Sequence, residues 1–254
     1  MQLFYRESGE GRPIVILHGL FGSSDNWMSV TKELALHYKA FVLDARNHGQ
    51  SPHDSSHTYK DMAADLKEFI DTHKLVHPIL IGHSMGGKTI MRFAAEYPGI
   101  AEKLVVVDIS PRFYGRHHQD ILAGFNAINL ETLQTRNEAD AIMSQYVGDV
   151  GVRMFLLKSL YRNSEGKFQW RINLPLINEQ IDNIGEALPE AAKIDTPTLF
   201  IRGSESGYIE DKDAALIEQH FSDYKIETVE GASHFVHAEK PKEVIALIET
   251  FIEQ

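Results

Sequence analysis

Ser84 lies in a glycine-rich segment, residues 82–87 (GHSMGG), which follows a short apolar run and precedes a helical pattern. Glycines on both sides permit a sharp strand-to-helix turn that strains the serine backbone and pushes its hydroxyl into solvent. The amide of Met85 then begins the helix, where the helix dipole favours developing negative charge. The segment predicts a nucleophilic serine. In the alternative interpretation Ser84 caps the helix, which leaves the flanking glycines unexplained.

His234 lies in residues 231–235 (GASHF), after the last apolar run and before a terminal helical pattern. A serine hydroxyl at its ordinary pKa is a weak nucleophile, so an imidazole has to take its proton and return it to the leaving group. His237 is an alternative three residues further on, but it falls at the start of the predicted helix. We therefore predict that His234 is the general base.

A second glycine-containing segment, residues 18–23 (HGLFGS), follows an apolar run at 14–17. Open α/β folds place their sites at the carboxyl ends of the strands, so we expect this loop beside the nucleophile. The amide of Leu20, or that of Phe21 in its place, would join the amide of Met85 in binding a tetrahedral oxyanion. The alternative is a plain glycine-rich turn.

The elements that must position these residues are visible as a pattern of apolar runs. Runs without polar alternation, typical of a parallel sheet covered by helices on both faces, occur at 14–17, 40–43, 79–81, 104–107, 198–201 and 226–229. Helical spacing of apolar residues occurs at 27–36, 58–72, 85–96 and 242–252. Residues 3–6 are expected to form a hairpin with the strand at 14–17, through the turn at 9–11 (GEG).

Residues 111–197 interrupt this alternation of strand-like and helical segments, because they show helical patterning without a strand-like run. The pattern predicts an α/β core made of residues 1–110 and 198–254, with an inserted helical segment between them. The large apolar side chains of the insertion are expected to form its own core, and a few of them to line a pocket beneath it.

The composition is that of an ordinary globular protein and removes several classes of function. The chain has 254 residues, 43 % of them hydrophobic, and a formal net charge of −11. Such a negative surface repels a phosphate backbone, which argues against nucleic acid or an anionic membrane as the partner. No apolar run approaches the roughly 18 residues that span a bilayer, and no signal-peptide pattern is apparent. We therefore expect a cytoplasmic protein without membrane insertion.

Residues typical of metal sites are not arranged as ligands. The chain has no cysteine, which excludes a disulfide scaffold, thiolate catalysis and cysteine-based metal sites. It also lacks a His-Glu-x-x-His pattern, and the adjacent His117 and His118 cannot easily point at one metal ion from a helix. His18 and His48 are expected to hold loops in place. We expect neither a metal nor a cofactor.

The order of Ser84, an acid and His234, with His18-Gly19 upstream, resembles the α/β-hydrolase superfamily. Three segments make the resemblance more specific, because they are similar to the YbfF-like esterases and the abhydrolase-domain 11 family. They are residues 44–52 (DARNHGQSP), 82–88 (GHSMGGK) and 107–111 (VDISP). The resemblance covers residues 11–254. It implies an α/β-hydrolase fold with an inserted helical cap, no cofactor, and hydrolysis of acyl esters, with acyl-CoA thioesters as a further substrate class.

The acid that would complete a catalytic triad with Ser84 and His234 is the point at which the sequence departs from the common superfamily pattern. In many relatives it lies four residues into the segment after the strand at 198–201, where this chain has Ser206. A serine cannot carry the charge, so we prefer Asp108, at the end of the run 104–107, over Glu205. Ser206 is then expected to hold His234 by a neutral hydrogen bond. Asp108 has its own alternative role, which is to cap the turn before Pro111.

Four basic or titratable residues cluster where the chain enters the insertion: Arg112, Arg116, His117 and His118. In a chain of net charge −11 they form a local positive feature, expected to attract the phosphates of coenzyme A or a substrate carboxylate. The alternative is a solvated helix start with incidental salt bridges.

The sequence thus predicts a serine esterase or thioesterase that acts through an acyl-enzyme at Ser84. Carbon–carbon bond hydrolysis and perhydrolysis use the same residues and stay open as alternatives. A different class of function is a receptor-like relative that binds its ligand without turnover.

Overall fold

The computed structural model describes residues 1–116 and 118–254. Its strands are β1 (Tyr5–Ser8), β2 (Pro13–Leu17), β3 (Lys39–Leu43), β4 (Ile79–His83), β5 (Lys103–Val107), β6 (Leu160–Arg162), β7 (Phe168–Trp170), β8 (Thr198–Gly203) and β9 (Tyr224–Val229). The central sheet has the order β1-β3-β2-β4-β5-β8-β9. Its neighbouring strands are parallel, apart from the antiparallel pair β1 and β3. The predicted, mostly parallel sheet is confirmed.

The helices are α1 (Met28–Leu34), α2 (Tyr59–Thr72), α3 (Met85–Glu96), α4 (Gln119–Ala127), α5 (Arg136–Met143), α6 (Val150–Leu157), α7 (Leu174–Glu179), α8 (Ile181–Ile184), α9 (Ala214–His220), α10 (Val236–Glu239) and α11 (Pro241–Ile252). Apolar residues of α2, α3 and α9 pack on one face of the sheet. Those of α1 and α11 pack on the other, so both faces are buried as an α/β-hydrolase fold requires. Within the described residues, no helix is long and apolar enough to cross a membrane.

The predicted hairpin between β1 and β2 is wrong. β1 pairs with β3 instead, with Tyr5 opposite Leu43, and β3 lies between β1 and β2. The reason is that both edges of β2 are occupied by parallel neighbours, β3 and β4. The connection from β1 to β2 crosses the residues that precede β3. Gly9 in this connection has φ 75°, and a Cβ on Gly9 would lie 2.2 Å from the Tyr38 carbonyl oxygen.

Residues 111–197 connect β5 to β8 and contain α4 to α8. The expectation that they lack strands is wrong, because β6 and β7 form an antiparallel hairpin in which Leu160 lies opposite Trp170. Asn163 shapes the turn by accepting bonds from the amides of Glu165 and Lys167 through its side-chain oxygen. Each strand has three residues, too few for alternation to be visible in the sequence.

The apolar side chains of this inserted segment form a core that continues into the loops of the main domain. Phe125 and Leu156 belong to the same buried cluster as Leu20, Phe21 and Met85. Other large residues of the segment stay in solvent, with exposed fractions of 65 % for both Phe113 and Met154. The insertion therefore packs directly on the loops that follow β2 and β4.

Lys88 joins the inserted segment to α3. Its buried ammonium group donates to the carbonyl oxygens of Arg112 and Glu186, which lie where the chain leaves and re-enters the core. Burial lowers the pKa of Lys88 to about 7, and the charge of Arg112 acts in the same direction. Both stems of the insertion are thus fixed one helical turn beyond Ser84.

Candidate active site

Ser84 occupies the turn between β4 and α3 with φ 52° and ψ −114°, a backbone conformation that residues other than glycine rarely adopt. The turn requires glycine nearby, since a Cβ on Gly82 would lie 2.3 Å from the Gly86 carbonyl oxygen and one on Gly86 would lie 2.4 Å from that of Leu17. The Ser84 N–H donates to the Val107 carbonyl at 3.0 Å. Its hydroxyl makes no capping bond to α3, so the helix-cap alternative is wrong.

His234 and Asp108 form a hydrogen-bonded pair. The distance from His234 Nδ1 to Asp108 Oδ2 is 2.7 Å, and the Asp108 side chain is fully buried at the end of β5. A carboxylate accepts and does not donate, so Nδ1 carries the hydrogen and Nε2 is left as an acceptor. Glu205, the alternative acid, is exposed. The structure therefore brings Asp108, rather than Glu205, to the histidine.

Hydrogen bonds to the buried carboxylate partly offset the cost of its negative charge. Burial raises the pKa of Asp108 to about 7, and the negative charge of Glu239 also raises it. Bonds from the Ser206 hydroxyl to Oδ2 and from the Gly203 N–H to Oδ1, the latter at 3.2 Å, act in the opposite direction. They favour the charged form that a partner of protonated His234 must have.

Ser206 thus acts on the carboxylate, whereas the sequence predicted a bond from its hydroxyl to the histidine ring. Its oxygen also accepts from the Tyr208 N–H at 3.2 Å. The Tyr208 ring is stacked on His234, with ring centroids 3.8 Å apart and planes at 17°. Sequence reasoning missed Tyr208, although its place two residues after Ser206 was a usable signal.

Hydrogen bonds in the loop after β2 distinguish the two amides, of Leu20 and Phe21, that were predicted as the second oxyanion donor. The Phe21 N–H already donates to His48 Nε2 at 3.1 Å, while His48 Nδ1 donates to the Arg46 carbonyl at 3.0 Å. The amide of Phe21 is therefore occupied. Leu20 stays the donor that we pair with Met85.

The two loop histidines have the bracing role that we predicted for them. His18 donates from Nδ1 to the Gly19 carbonyl at 2.7 Å and accepts from the Ala45 N–H at 3.0 Å through Nε2. Burial lowers the pKa of His18 and holds that of His48 well below its ordinary value. Both rings are neutral at physiological pH, so they hold backbone without adding charge to the site.

Ser84 and His234 line one cavity of about 210 Å³. Its remaining walls are mostly apolar. The loop after β2 contributes Gly19, Leu20 and Phe21, and the inserted segment contributes His118, Ile121, Val152, Phe155 and Leu156. The end of β4, the loop after β8 and the loop before α10 contribute His83, Tyr208 and Phe235. An outer cleft of about 520 Å³ shares His234, Tyr208 and Phe155 with this cavity. Its charged side chains are Asp149, Glu205, Glu239 and Lys158.

The predicted anion-binding cluster is divided between two places. Arg112 and Arg116 line a third cavity of about 450 Å³, together with Tyr208, whereas His118 lines the cavity of Ser84. His117 lies outside the described residues. Both arginines have carboxylate partners, as the salt-bridge alternative requires. Arg112 contacts Asp213 at 3.2 Å, and Arg116 makes a bidentate pair with Asp182.

Comparison with known proteins identifies the family. A family model described as alpha/beta hydrolase fold matches residues 12–241. The chain belongs to this family. It is 37 % identical over 243 residues to Esterase YbfF of Escherichia coli (strain K12), an alignment that covers 94 % of this chain and 92 % of that protein. The sn-1-specific diacylglycerol lipase ABHD11 of Mus musculus is 37 % identical over 247 residues, which cover 94 % of this chain and 80 % of the relative.

A solved structure agrees with this assignment. The structure titled Marine microorganism esterase has a TM-score of 0.96 and 41 % sequence identity, and the match covers 98 % of this chain and 99 % of that one. The resemblance stated from the sequence motifs is confirmed. The chain is a carboxylic ester hydrolase of the alpha/beta hydrolase family.

We predict that Asp108→Asn lowers kcat by roughly three to four orders of magnitude, because an amide no longer stabilises the imidazolium and favours the wrong tautomer. Glu205→Gln is the matched control, since it makes the same chemical change at the exposed alternative acid. Steady-state hydrolysis of a chromogenic ester measures both variants. A normal kcat in Asp108→Asn, or an equal loss in Glu205→Gln, would contradict the assignment of Asp108.

Ser206→Ala is expected to move the acidic limb of the kcat/KM profile upward by roughly 0.4 to 1 pH unit. The estimate takes about 0.5–1.5 kcal/mol for a neutral hydrogen bond and about 1.4 kcal/mol per unit. The hydroxyl stabilises the ionised carboxylate, so its loss raises the pKa of Asp108 and the Asp108–His234 pair holds a proton to higher pH.

The control for this change is Ser204→Ala in the same loop, where the hydroxyl oxygen accepts from the Gly231 N–H at 2.8 Å. Initial rates between about pH 5 and 9 give both profiles. If the limb does not move in Ser206→Ala, or moves equally in Ser204→Ala, the role of Ser206 is not electrostatic support of Asp108.

Proposed function

We propose that Ser84 attacks the acyl carbon of a carboxylic ester, with His234 as the general base and Asp108 as the partner of His234. The observation that carries this proposal is the 2.7 Å bond between His234 and the buried Asp108, beside a cavity that Ser84 and His234 share. The left-handed backbone of Ser84 supports it, because such strain persists where the surrounding structure over-determines it.

The reaction has two steps. In the first, His234 Nε2 takes the Ser84 proton as the Oγ–C bond forms, and the amides of Met85 and Leu20 hold the oxyanion. The C–O bond to the leaving alcohol then breaks, and the alcohol departs with the proton from His234. In the second step, His234 takes a proton from water as the water oxygen attacks the acyl carbon. The bond between Oγ and the acyl carbon then breaks, the acid leaves, and the proton on His234 passes to Oγ and restores the Ser84 hydroxyl.

We propose that residues 111–197 act as a cap that selects the acyl group. Ile121 of α4 and Leu156 of α6 line the cavity opposite the loop after β2. At about 210 Å³ this cavity is smaller than the roughly 300–1,000 Å³ typical of sites for drug-sized ligands. Short acyl groups fit such a space, and its apolar walls favour hydrocarbon over charged acyl groups.

The outer cleft favours an uncharged leaving group. Its charged side chains are three carboxylates, of Asp149, Glu205 and Glu239, against the single ammonium group of Lys158. The phosphates of coenzyme A would meet this negative lining, and Arg112 and Arg116 are already paired with carboxylates. We therefore propose esters of neutral alcohols as the main substrates and place acyl-CoA thioesters, the second predicted class, below them.

A fluorophosphonate probe tests the acyl-enzyme. The parent should be labelled with one equivalent and lose ester hydrolysis in parallel, and Ser84→Ala should show neither labelling nor turnover. A parent that binds esters without labelling or turnover would be the receptor-like alternative. Labelling that persists in Ser84→Ala would place the nucleophile elsewhere, and labelling without ester turnover would favour carbon–carbon bond hydrolysis or perhydrolysis.

The preference for an uncharged leaving group is tested with one acyl group on two carriers, a neutral alcohol and coenzyme A. We expect kcat/KM for the thioester to rise between low salt and about 0.5 M NaCl, since salt screens the repulsion, while the value for the neutral ester stays constant. Arg116→Glu is the discriminating variant. If it raises KM for the thioester alone, or if salt lowers the thioester rate, the arginines anchor coenzyme A and the proposal is wrong.

A further inference from the structure

We infer that His83 is a positioning residue that holds the nucleophile, the base loop and the oxyanion loop in one fixed arrangement. This inference rests on the proposed roles of Ser84 and His234. His83 precedes Ser84 in the chain and is 2 % exposed. Its Nε2 lies 2.8 Å from the carbonyl oxygen of His234, so the ring donates to the backbone of the residue that carries the base.

That hydrogen bond connects two segments that are far apart in the sequence. Ser84 is one peptide bond from His83, and His234 is 151 residues away from it. The position of the His234 ring depends on its backbone, on the Asp108 bond at Nδ1 and on the Tyr208 ring stacked against it. The His83 bond fixes the backbone directly against the segment that carries the serine hydroxyl.

The Nδ1–Cε1 edge of the His83 ring contacts the oxyanion loop. A Cβ on Gly19 would lie 2.8 Å from His83 Nδ1 and 3.3 Å from the Cβ of Ser84. The backbone that precedes the Leu20 amide therefore packs directly on the imidazole. One side chain thus touches the loop after β2 and the loop before α10, and it is covalently joined to Ser84.

The chemistry of the ring fits positioning and does not fit proton transfer in the reaction. A carbonyl oxygen accepts, so Nε2 must carry the hydrogen and the neutral ring has Nδ1 as its acceptor nitrogen. Burial holds the pKa of His83 well below its ordinary value, and the proximity of His234 acts in the same direction. His83 stays neutral beside His234 and does not compete with it for the proton of the serine.

The expected effect is that of losing one hydrogen bond at a partly buried carbonyl, about 0.5–1.5 kcal/mol. If that loss falls on the alignment of His234 with Ser84, kcat decreases by roughly 2- to 10-fold. KM changes little when a ring of similar size still lines the cavity.

Two variants test this. His83→Phe keeps a ring of similar size and removes the donor, and His83→Gln supplies an N–H group at similar reach. We expect His83→Phe to show the loss of kcat with unchanged KM and His83→Gln to recover most of it. The matched control is His220→Phe in α9, which removes a bond of the same kind, between a buried histidine and the carbonyl oxygen of Ala192 at 2.9 Å, and is expected to keep the parent kcat. Thermal unfolding confirms that each variant is folded.

A parent-like kcat in His83→Phe, or equal losses in folded His83→Phe and His83→Gln, would overturn the inference. A measurement on the parent covers the case in which the variants do not fold. Imidazole ¹⁵N spectra should show His83 neutral with its hydrogen on Nε2, and hydrogen on Nδ1 would overturn the inference. Failure of the proposed function is distinct, since it appears as missing fluorophosphonate labelling of the parent while the tautomer is as expected.

Discussion

The candidate site is organised around the negative charge of one fully buried carboxylate, that of Asp108. Burial alone makes that charge unfavourable, which is why the pKa of Asp108 rises to about 7. The Gly203 amide, the Ser206 hydroxyl and the His234 ring compensate by directing hydrogen bonds at its two oxygens. The residues around the carboxylate supply hydrogen bonds to its oxygens, and the same set of bonds orients His234.

The position of the acid has a simple geometric origin. β5 and β8 are neighbours in the sheet, and the Asp108 N–H donates to the Ile201 carbonyl of β8 at 2.8 Å. Side chains at the carboxyl ends of these two strands therefore reach the same point. Asp108, directly after β5, and Ser206, after β8, therefore meet, and Oδ2 of Asp108 accepts from both Ser206 and His234.

Local patterns in the sequence predicted much of the fold and named the serine, the histidine and the aspartate of the candidate site. The α3 bounds were predicted at 85–96, and the apolar runs located the parallel strands, because burial on both faces leaves a continuous apolar signal. The pairing of β1 with β3 was missed, since edge pairing depends on which strand edges are free. The contacts of Tyr208 and His83 were missed because they join segments that are distant in the chain, and the carboxylate partners of Arg112 were missed for the same reason.

Lys88 has a mechanical consequence for substrate entry. Its ammonium group grips both stems of the inserted segment, and its own backbone N–H donates to the carbonyl oxygen of Ser84 at 3.0 Å. A rigid-body rotation of the insertion about its stems would therefore strain α3, the helix that follows Ser84. Ile121 of α4 and Leu156 of α6 line the cavity and lie between the two anchored stems in the chain, so a displacement of these helices alone would change the cavity without moving Lys88 or Ser84.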